Sequence, residues 1–82
     1  MFYVYIIYSS SRDRFYIGHT ENVEQRLATH ILRKNLGAAD WELRYTEYFI
    51  SRADAMKRET EIKKKKSRKF IESLIPIIER PA

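Results

Sequence analysis

The chain contains no cysteine, and only two of its 82 residues are histidine. The absence of cysteine excludes a disulfide scaffold and any zinc site with cysteine ligands. The two histidines, His19 and His30, do not form a cluster at metal-ligand spacing. The sequence also lacks a glycine-rich phosphate loop and a Ser-His-Asp pattern. A hydrolytic site, if there is one, must therefore combine tyrosine, arginine and histidine with a lone carboxylate.

Long apolar runs are absent as well. The longest run near the start, Phe2 to Tyr8, is far too short to span a bilayer, and it lacks the basic leader of a signal peptide. We therefore expect a cytoplasmic protein. Hydrophobic residues make up 44% of the chain and charged residues 33%, a balance typical of a globular domain rather than a disordered chain. We expect one small domain over residues 1–78 and a loose tail over 79–82.

Positive charge is concentrated in one segment. Residues 57–69 contain eight lysines or arginines against two glutamates, a net charge of +6, whereas the whole chain carries +5. A concentrated basic patch attracts polyanions, among which nucleic acids are the commonest partners. The alternative is a solvated, lysine-rich helix face. Charge alone leaves both interpretations open.

The apolar pattern predicts three strands. Residues 2–8 alternate with a period of two and are rich in aromatic and β-branched side chains, which is typical of a strand. After a polar loop, a second strand is predicted at 15–17, and we expect Gly18 to end it. A third strand is predicted near 42–50. One of its faces should carry the alternating residues Trp41, Leu43, Tyr45, Glu47 and Phe49.

Capping signals predict the first of three helices. Asn22 is a favourable N-cap residue, and Gln25 three positions later can complete a capping box. Glycine is common just after a helix, so we expect this one to end near Gly37. Its buried stripe should consist of Val23, Leu27 and Ile31.

Two further helices are predicted in the same way. Ser51 should begin the second, which turns its lysines outward, and Ser67 should begin a short third helix that Pro76 ends. The predicted inward residues are Ala55, Met56 and Ile62 in the second helix and Phe70, Ile71, Leu74 and Ile75 in the third. The predicted fold is therefore α+β, a three-stranded antiparallel sheet flanked by helices in the order ββαβαα.

Five polar or charged side chains can come together in this fold. Tyr5 and Tyr16 lie on adjacent strands and can face each other across the hairpin. Arg26 and His30 are four residues apart and so share one helix face. Glu59 lies on or beside the inward side of the second helix, where a carboxylate is costly unless it is paired or binds a cation. Each residue alone also has a structural explanation: strand packing, a solvated helix pair, or an ion pair with the lysine four positions later.

The joint spacing of these residues resembles the signature of the GIY-YIG nuclease superfamily. Tyr5 lies in a Val-Tyr-Ile segment, Tyr16 follows it by eleven positions in a Tyr-Ile-Gly segment, Arg26 follows by ten more and His30 by a further four. Residues 55–63 resemble the A-x-x-R-E-x-x-I-K segment of small stand-alone members related to the N-terminal domain of the excinuclease C subunit. The similarity runs from about residue 2 to residue 75, although Tyr3 replaces the glycine of the first motif.

The resemblance implies hydrolysis of DNA phosphodiester bonds with one Mg²⁺ or Mn²⁺ ion and no small-molecule cofactor. It assigns Tyr5 and Tyr16 as the motif tyrosines, either of which could orient or deprotonate the attacking water. It assigns Arg26 as the catalytic arginine, His30 as the histidine that follows it, and Glu59 as the metal ligand. We expect DNA as the partner, no membrane association, and a monomer or weak dimer. Contacts to the nucleic acid are expected from His19, Lys63, Lys64, Lys65, Lys66 and Arg68.

Two other interpretations remain open. The chain could be a non-catalytic nucleic-acid-binding module, for DNA or RNA, with exposed tyrosines as stacking platforms. It could also be a basic partner-binding domain that has lost its site. The interpretations differ in whether the five residues converge on one cleft with room for a divalent ion. We favour the enzyme and, without a second DNA-reading module, expect little sequence specificity.

Overall fold

The computed structural model describes residues 1–33 and 37–76. The predicted order ββαβαα and the α+β class are confirmed. The tail predicted over 79–82 lies outside the described residues. Within the described ranges, no helix is long and apolar enough to cross a membrane. The strands are β1 (Phe2–Ser9), β2 (Arg14–Thr20) and β3 (Trp41–Phe49), and the helices are α1 (Val23–Leu32), α2 (Arg52–Lys65) and α3 (Arg68–Leu74).

The sheet is antiparallel, and β1 lies between β2 and β3. Because β1 has a strand on each side and a packed layer on each face, its residues 4–9 are all buried. Val4 and Ile6 pack on the face covered by α2 and α3. Tyr5 and Ile7 pack on the opposite face, against α1 and the start of β3. Alternate residues of β1 therefore belong to two separate core clusters.

Strand β2 is longer than predicted. It continues past Gly18 to Thr20, because the pairing with β1 runs on without interruption from Gly18 to Thr20. The prediction that Gly18 ends the strand is therefore wrong. A glycine inside a strand often marks a close approach of another group, and this is its role here, as the site geometry shows.

Strand β3 contains a β-bulge at Arg44. Leu43 and Tyr45 pair with consecutive residues of β1, so Arg44 between them is an extra residue. An inserted residue shifts the alternation of side chains by one position. As a result, Trp41 packs on the α1 side of the sheet and Tyr45 on the α2 side. The prediction that Trp41 and Tyr45 share one face is wrong for this reason.

The three predicted capping residues all begin helices. Each accepts a hydrogen bond from a backbone N–H three residues later, which satisfies one of the free donors of the first turn. The pairs are Asn22 with Gln25, Ser51 with Asp54, and Ser67 with Phe70.

Three details of the helices differ from the prediction. Ile31 is 37% exposed and Met56 is 48% exposed. The residues that α1 and α2 bury against the rest of the domain include His30 and Ala55 instead. Helix α1 ends at Leu32, so Gly37 does not end it. Gly37 belongs to the following loop, where its φ of +78° favours glycine.

Candidate active site

Tyr5 and Tyr16 lie on the α1 face of the sheet, on neighbouring strands. Tyr5 is opposite Gly18, and Tyr16 is opposite Ile7, so the two tyrosines are diagonal neighbours. Their ring centroids are 6.3 Å apart. Tyr5 is buried, with 2% of its surface exposed, whereas Tyr16 is half-buried. The structure thus brings the two tyrosines together across the hairpin as predicted.

Gly18 makes the position of Tyr5 possible. A Cβ atom on Gly18 would lie 2.5 Å from the Tyr5 hydroxyl oxygen and 2.7 Å from its Cζ. The tyrosine ring therefore extends over β2 through the space that a side chain would fill. Gly18 was missed among the predicted site residues, although a glycine opposite a tyrosine in the hairpin register is a signal that could have found it.

Helix α1 presents His30 to the tyrosines. Its Nε2 lies 3.1 Å from the Tyr5 hydroxyl oxygen, and its ring centroid lies 5.1 Å from that of Tyr16. Burial, together with the nearby Arg26 guanidinium, lowers the pKa of His30. The imidazole is therefore neutral at neutral pH, and one of its ring nitrogens can accept a hydrogen bond.

Arg26 lies one turn before His30 and is exposed. Its guanidinium interacts with the Tyr5 hydroxyl and more weakly with Tyr16, and these interactions raise the pKa of Arg26. A permanent positive charge thus lies beside both phenols. For Tyr5, burial outweighs this cation, so the pKa of the Tyr5 phenol is raised. The Tyr5 phenol is therefore deprotonated less readily than that of a free tyrosine.

Glu59 approaches from the other side of the sheet, on α2. Only 18% of its side chain is exposed, and its Oε1 lies 2.6 Å from Nδ1 of His19 on β2. Its Oε2 accepts a hydrogen bond from Nζ of Lys63 at 2.6 Å. Burial opposes ionisation, but the contacts with Lys63 and His19 outweigh it and lower the pKa of Glu59. The ion pair that offered a purely structural explanation is present, but Glu59 also has a partner on β2.

The residues on the α1 face of the sheet and the pair of Glu59 and His19 on the α2 face approach each other around the free edge of β2. Nζ of Lys63 lies 5.8 Å from the centroid of the Tyr16 ring, and the charge of Glu59 contributes to the raised pKa of Tyr5. A cleft of about 340 Å³ opens between the end of β2 and the start of α1, and its lining includes His19 and Arg26. Of the five predicted residues, only Arg26 lies in the wall of this cleft, together with His19, the partner of Glu59. Tyr5, Tyr16, Arg26 and His30 lie together on the α1 face of the sheet, and Glu59 approaches them around the edge of β2 through Lys63.

A divalent cation at Glu59 would have few protein ligands. The described residues contain no group of three or more acidic, histidine or cysteine side chains that could hold a metal. Mg²⁺ keeps several of its waters and often binds through one or two carboxylates together with substrate phosphates, so one ionised glutamate is compatible with it. Both oxygens of Glu59 are engaged by His19 and Lys63. A hydrated divalent ion at this carboxylate would therefore have to displace one of these partners.

The other basic residues predicted to contact nucleic acid lie at the end of α2 and the start of α3. Lys64 and Lys66 are exposed. Lys65 lies over an aromatic ring of α3, 5.5 Å from its centroid, and Arg68 pairs with Asp13 at 2.7 Å. A groove of about 350 Å³ runs beside them, between β2 and the two helices. Its cationic lining residues are Arg14, Lys63, Lys66 and Arg68.

Comparison with known proteins identifies the family. The sequence matches a family model described as "GIY-YIG catalytic domain" over residues 1–71. The chain belongs to the GIY-YIG family. GIY-YIG domains form a superfamily of nuclease-type hydrolases.

The relatives of this GIY-YIG domain include UPF0213 proteins from bacteria and archaea. It is 43% identical over 67 residues to one from Staphylococcus haemolyticus, covering 74% of this chain and 78% of the relative. It is 42% identical over 65 residues to one from Natronomonas pharaonis, covering 74% and 75%. It is 37% identical over 67 residues to one from Halobacterium salinarum, covering 77% and 86%. No solved structure matches the chain.

Gly18→Ala should destabilise this GIY-YIG domain by about 1–3 kcal/mol, because the added methyl group overlaps a buried ring that cannot move aside freely. Urea denaturation measures this loss. In a Tyr5→Leu background the same substitution should cost less than about 0.5 kcal/mol, since the overlapping ring is gone. An equal cost in both backgrounds would show that Tyr5 is not the reason for the glycine.

The lowered pKa of His30 predicts that the GIY-YIG domain loses stability in mild acid. The folded state binds the proton more weakly than the unfolded state does. The free energy of unfolding is therefore highest above the unfolded pKa of about 6.5 and decreases as the pH falls through it toward the folded value. The Tm should fall between about pH 7.5 and pH 5.5, and His30→Gln should lose this part of the dependence. Parallel Tm profiles of the two proteins would contradict the prediction.

Proposed function

We propose that this GIY-YIG domain is a divalent-metal-dependent endonuclease that hydrolyses phosphodiester bonds in DNA and leaves a 5′-phosphate. The observation that carries the proposal is the grouping of two tyrosines and an arginine with an ionised, half-buried glutamate whose partner, His19, lines the same cleft as the arginine. The basic character of the domain, with a pI near 9.6, suits a polyanionic substrate. A domain that only binds nucleic acid has no need of a charged glutamate in this position.

We assign Arg26 to the scissile phosphate. Its guanidinium is exposed in the wall of the cleft and can donate two parallel hydrogen bonds to phosphate oxygens. The distribution of negative charge over these oxygens changes as the water bonds to phosphorus and the leaving oxygen departs. A fixed cation placed for that charge distribution stabilises the transition state more than the ground state.

We assign Tyr16 to the attacking water and Tyr5 to the support of the site. Tyr5 is buried, contacts His30, and has a raised pKa, all of which disfavour its deprotonation. Tyr16 is half-buried beside Arg26, where its hydroxyl can orient a water or, as the phenolate, accept a proton from it. The water oxygen gives one proton to Tyr16 and bonds to phosphorus. The P–O3′ bond breaks, and the leaving 3′ oxygen takes a proton from solvent.

Glu59 would hold the divalent ion. Such an ion withdraws negative charge from the phosphate and from the leaving oxygen. His19 contacts the same carboxylate and can fix its orientation, as residues around a metal ligand commonly do. In this assignment His19 acts through Glu59 rather than through a phosphate contact.

A panel of labelled DNAs tests the proposal. Single-stranded, duplex and flap molecules are incubated with the protein and Mg²⁺, Mn²⁺ or EDTA. The proposal predicts cleavage of at least one of them, only with a divalent ion, and 5′-phosphate product ends. Binding to all of them with no cleavage under any condition would favour the alternative, a non-catalytic basic module for DNA or RNA.

The exposed lysines at the end of α2 should supply affinity without sequence information. Each phosphate contact on duplex DNA adds about 0.9 to the slope of log K against log salt. Replacing Lys64, Lys65 and Lys66 by Gln should therefore flatten the slope by up to about 2–3 units, equally for unrelated sequences. Fluorescence anisotropy across a salt series, on the cleavage-deficient Glu59→Gln protein, measures the slope. Equal slopes with and without the triple substitution would show that these lysines face solvent and do not contact DNA phosphates.

A further inference from the structure

Lys63 differs from the lysines that follow it. Its Nζ donates to Oε2 of Glu59 at 2.6 Å and lies 5.8 Å from the centroid of the Tyr16 ring. Lys63 therefore lies between the carboxylate of Glu59 and the ring of Tyr16. Lys64 is exposed and forms no ion pair within the part of the chain that the structure describes. A helix turns by about 100° per residue, which explains why neighbours in the same basic run have different surroundings.

We propose that Lys63 is a displaceable counter-ion of Glu59 and a positioning residue of the active site; this inference rests on the proposed nuclease function. In the free protein its ammonium group neutralises the carboxylate and holds it in place. When a divalent ion binds Glu59, Lys63 leaves Oε2 and turns to the substrate phosphate beside Tyr16. Lys63 therefore weakens metal binding in the free protein and strengthens phosphate binding in the loaded one.

The physical properties of the pair suit this exchange. The side chain of Lys63 is 48% exposed and that of Glu59 is 18% exposed, so solvent screens the attraction and makes the pair easy to separate. The lysine side chain is a flexible four-carbon stem with three rotatable donors, so it can move between two neighbouring anions. A rigidly buried ion pair could not exchange partners at so small a cost.

Titration with Mn²⁺, followed by the EPR signal of the free ion, tests the counter-ion role without DNA. Lys63→Met and Lys64→Met each remove one positive charge from adjacent positions, so they are matched in net charge. Lys63→Met should bind Mn²⁺ about two- to tenfold more tightly than wild type. Lys64→Met should bind as wild type does. Lys63→Arg, which can retain the pair with Glu59, should also remain close to wild type.

Cleavage at saturating Mn²⁺ and saturating DNA tests the phosphate role, because the contribution of Lys64 to DNA affinity does not affect the rate under these conditions. Lys63→Met should cleave DNA at least about tenfold more slowly than Lys64→Met, because the phosphate loses a charged donor. Tighter metal binding combined with slower cleavage is not the result of general structural damage, which would weaken both. Circular dichroism and thermal denaturation confirm that each variant is folded.

The possible results separate this inference from the proposed function. Equal Mn²⁺ affinities for Lys63→Met and Lys64→Met, with Mn²⁺ binding lost in Glu59→Gln, overturn the counter-ion role and leave the nuclease site intact. Tighter Mn²⁺ binding with unchanged cleavage overturns the transfer of Lys63 to phosphate. Mn²⁺ binding that is unchanged in Glu59→Gln overturns the metal site itself, and the role of Lys63 with it.

Discussion

Glu59→Gln should reduce the rate of DNA cleavage by about a thousandfold or more while the domain remains folded. The amide keeps the shape of the side chain and can still contact His19 and Lys63, but it loses the charge that a hard cation requires. DNA binding should persist or tighten, because a negative charge leaves a site beside the cleft. Single-turnover cleavage and anisotropy measure the two effects separately.

Glu61→Gln is the matched control for this experiment. Glu61 is two residues further along α2 and is exposed, so its replacement removes the same charge without touching the site. It should leave cleavage within about twofold of wild type. Equal activity in the Glu59 and Glu61 variants would remove Glu59 from the mechanism.

Arg26→Ala should reduce kcat by about 10²–10³-fold, and Arg26→Lys should not restore it. A lysine supplies the charge but not the planar pair of donors that can bind two phosphate oxygens together. The change should appear in kcat more than in KM, because the contact is strongest in the transition state. Steady-state kinetics on the preferred DNA of the panel measure both constants.

Arg33→Ala controls for the loss of one arginine from α1. Arg33 is the C-cap residue of that helix and is exposed. Its substitution should change neither kcat nor KM by more than about twofold. A lysine variant of Arg26 with near wild-type kcat would show that charge alone is sufficient there.

Elements set by local chemistry were predictable from the sequence. Period-two alternation found all three strands, and the side chains of Asn22, Ser51 and Ser67 found all three helix starts. A capping residue acts on a backbone N–H only three positions away, so its signal is contained in a few letters. The short helix α3 and its apolar residues, which end at a buried Ile75, followed from the same kind of pattern.

Features set by contacts between distant segments were not predictable. The bulge at Arg44 depends on how β3 is registered against β1, and nothing in the local pattern marks it. Whether α1 turns Ile31 or His30 inward depends on its rotation against the sheet. The structure buries His30 and exposes Ile31, because the imidazole has the Tyr5 hydroxyl as a partner there.

In the candidate site, too, some features were predictable from the sequence and others depend on contacts between distant segments. The spacing of Tyr5, Tyr16, Arg26 and Glu59 indicated that they belong together. The structure places Tyr5, Tyr16 and Arg26 side by side, and Lys63 connects Glu59 to them around the edge of β2. The Lys63 partner of Glu59 was evident from its spacing of four residues, but the His19 partner was not. His19 reaches it from a position 40 residues earlier in the chain, so this contact exists only after the sheet and α2 have packed.

The dependence of cleavage on Mn²⁺ concentration is the decisive measurement for our proposal that one divalent ion, held by Glu59, activates hydrolysis of the phosphodiester bond. Single-turnover rates on one labelled DNA should rise with Mn²⁺ and saturate over the range in which EPR shows binding to the wild-type protein. Glu59→Gln should remain near the uncatalysed rate at every concentration. A rate that persists in EDTA, or a Glu59→Gln protein that follows the wild-type curve, would contradict the claim.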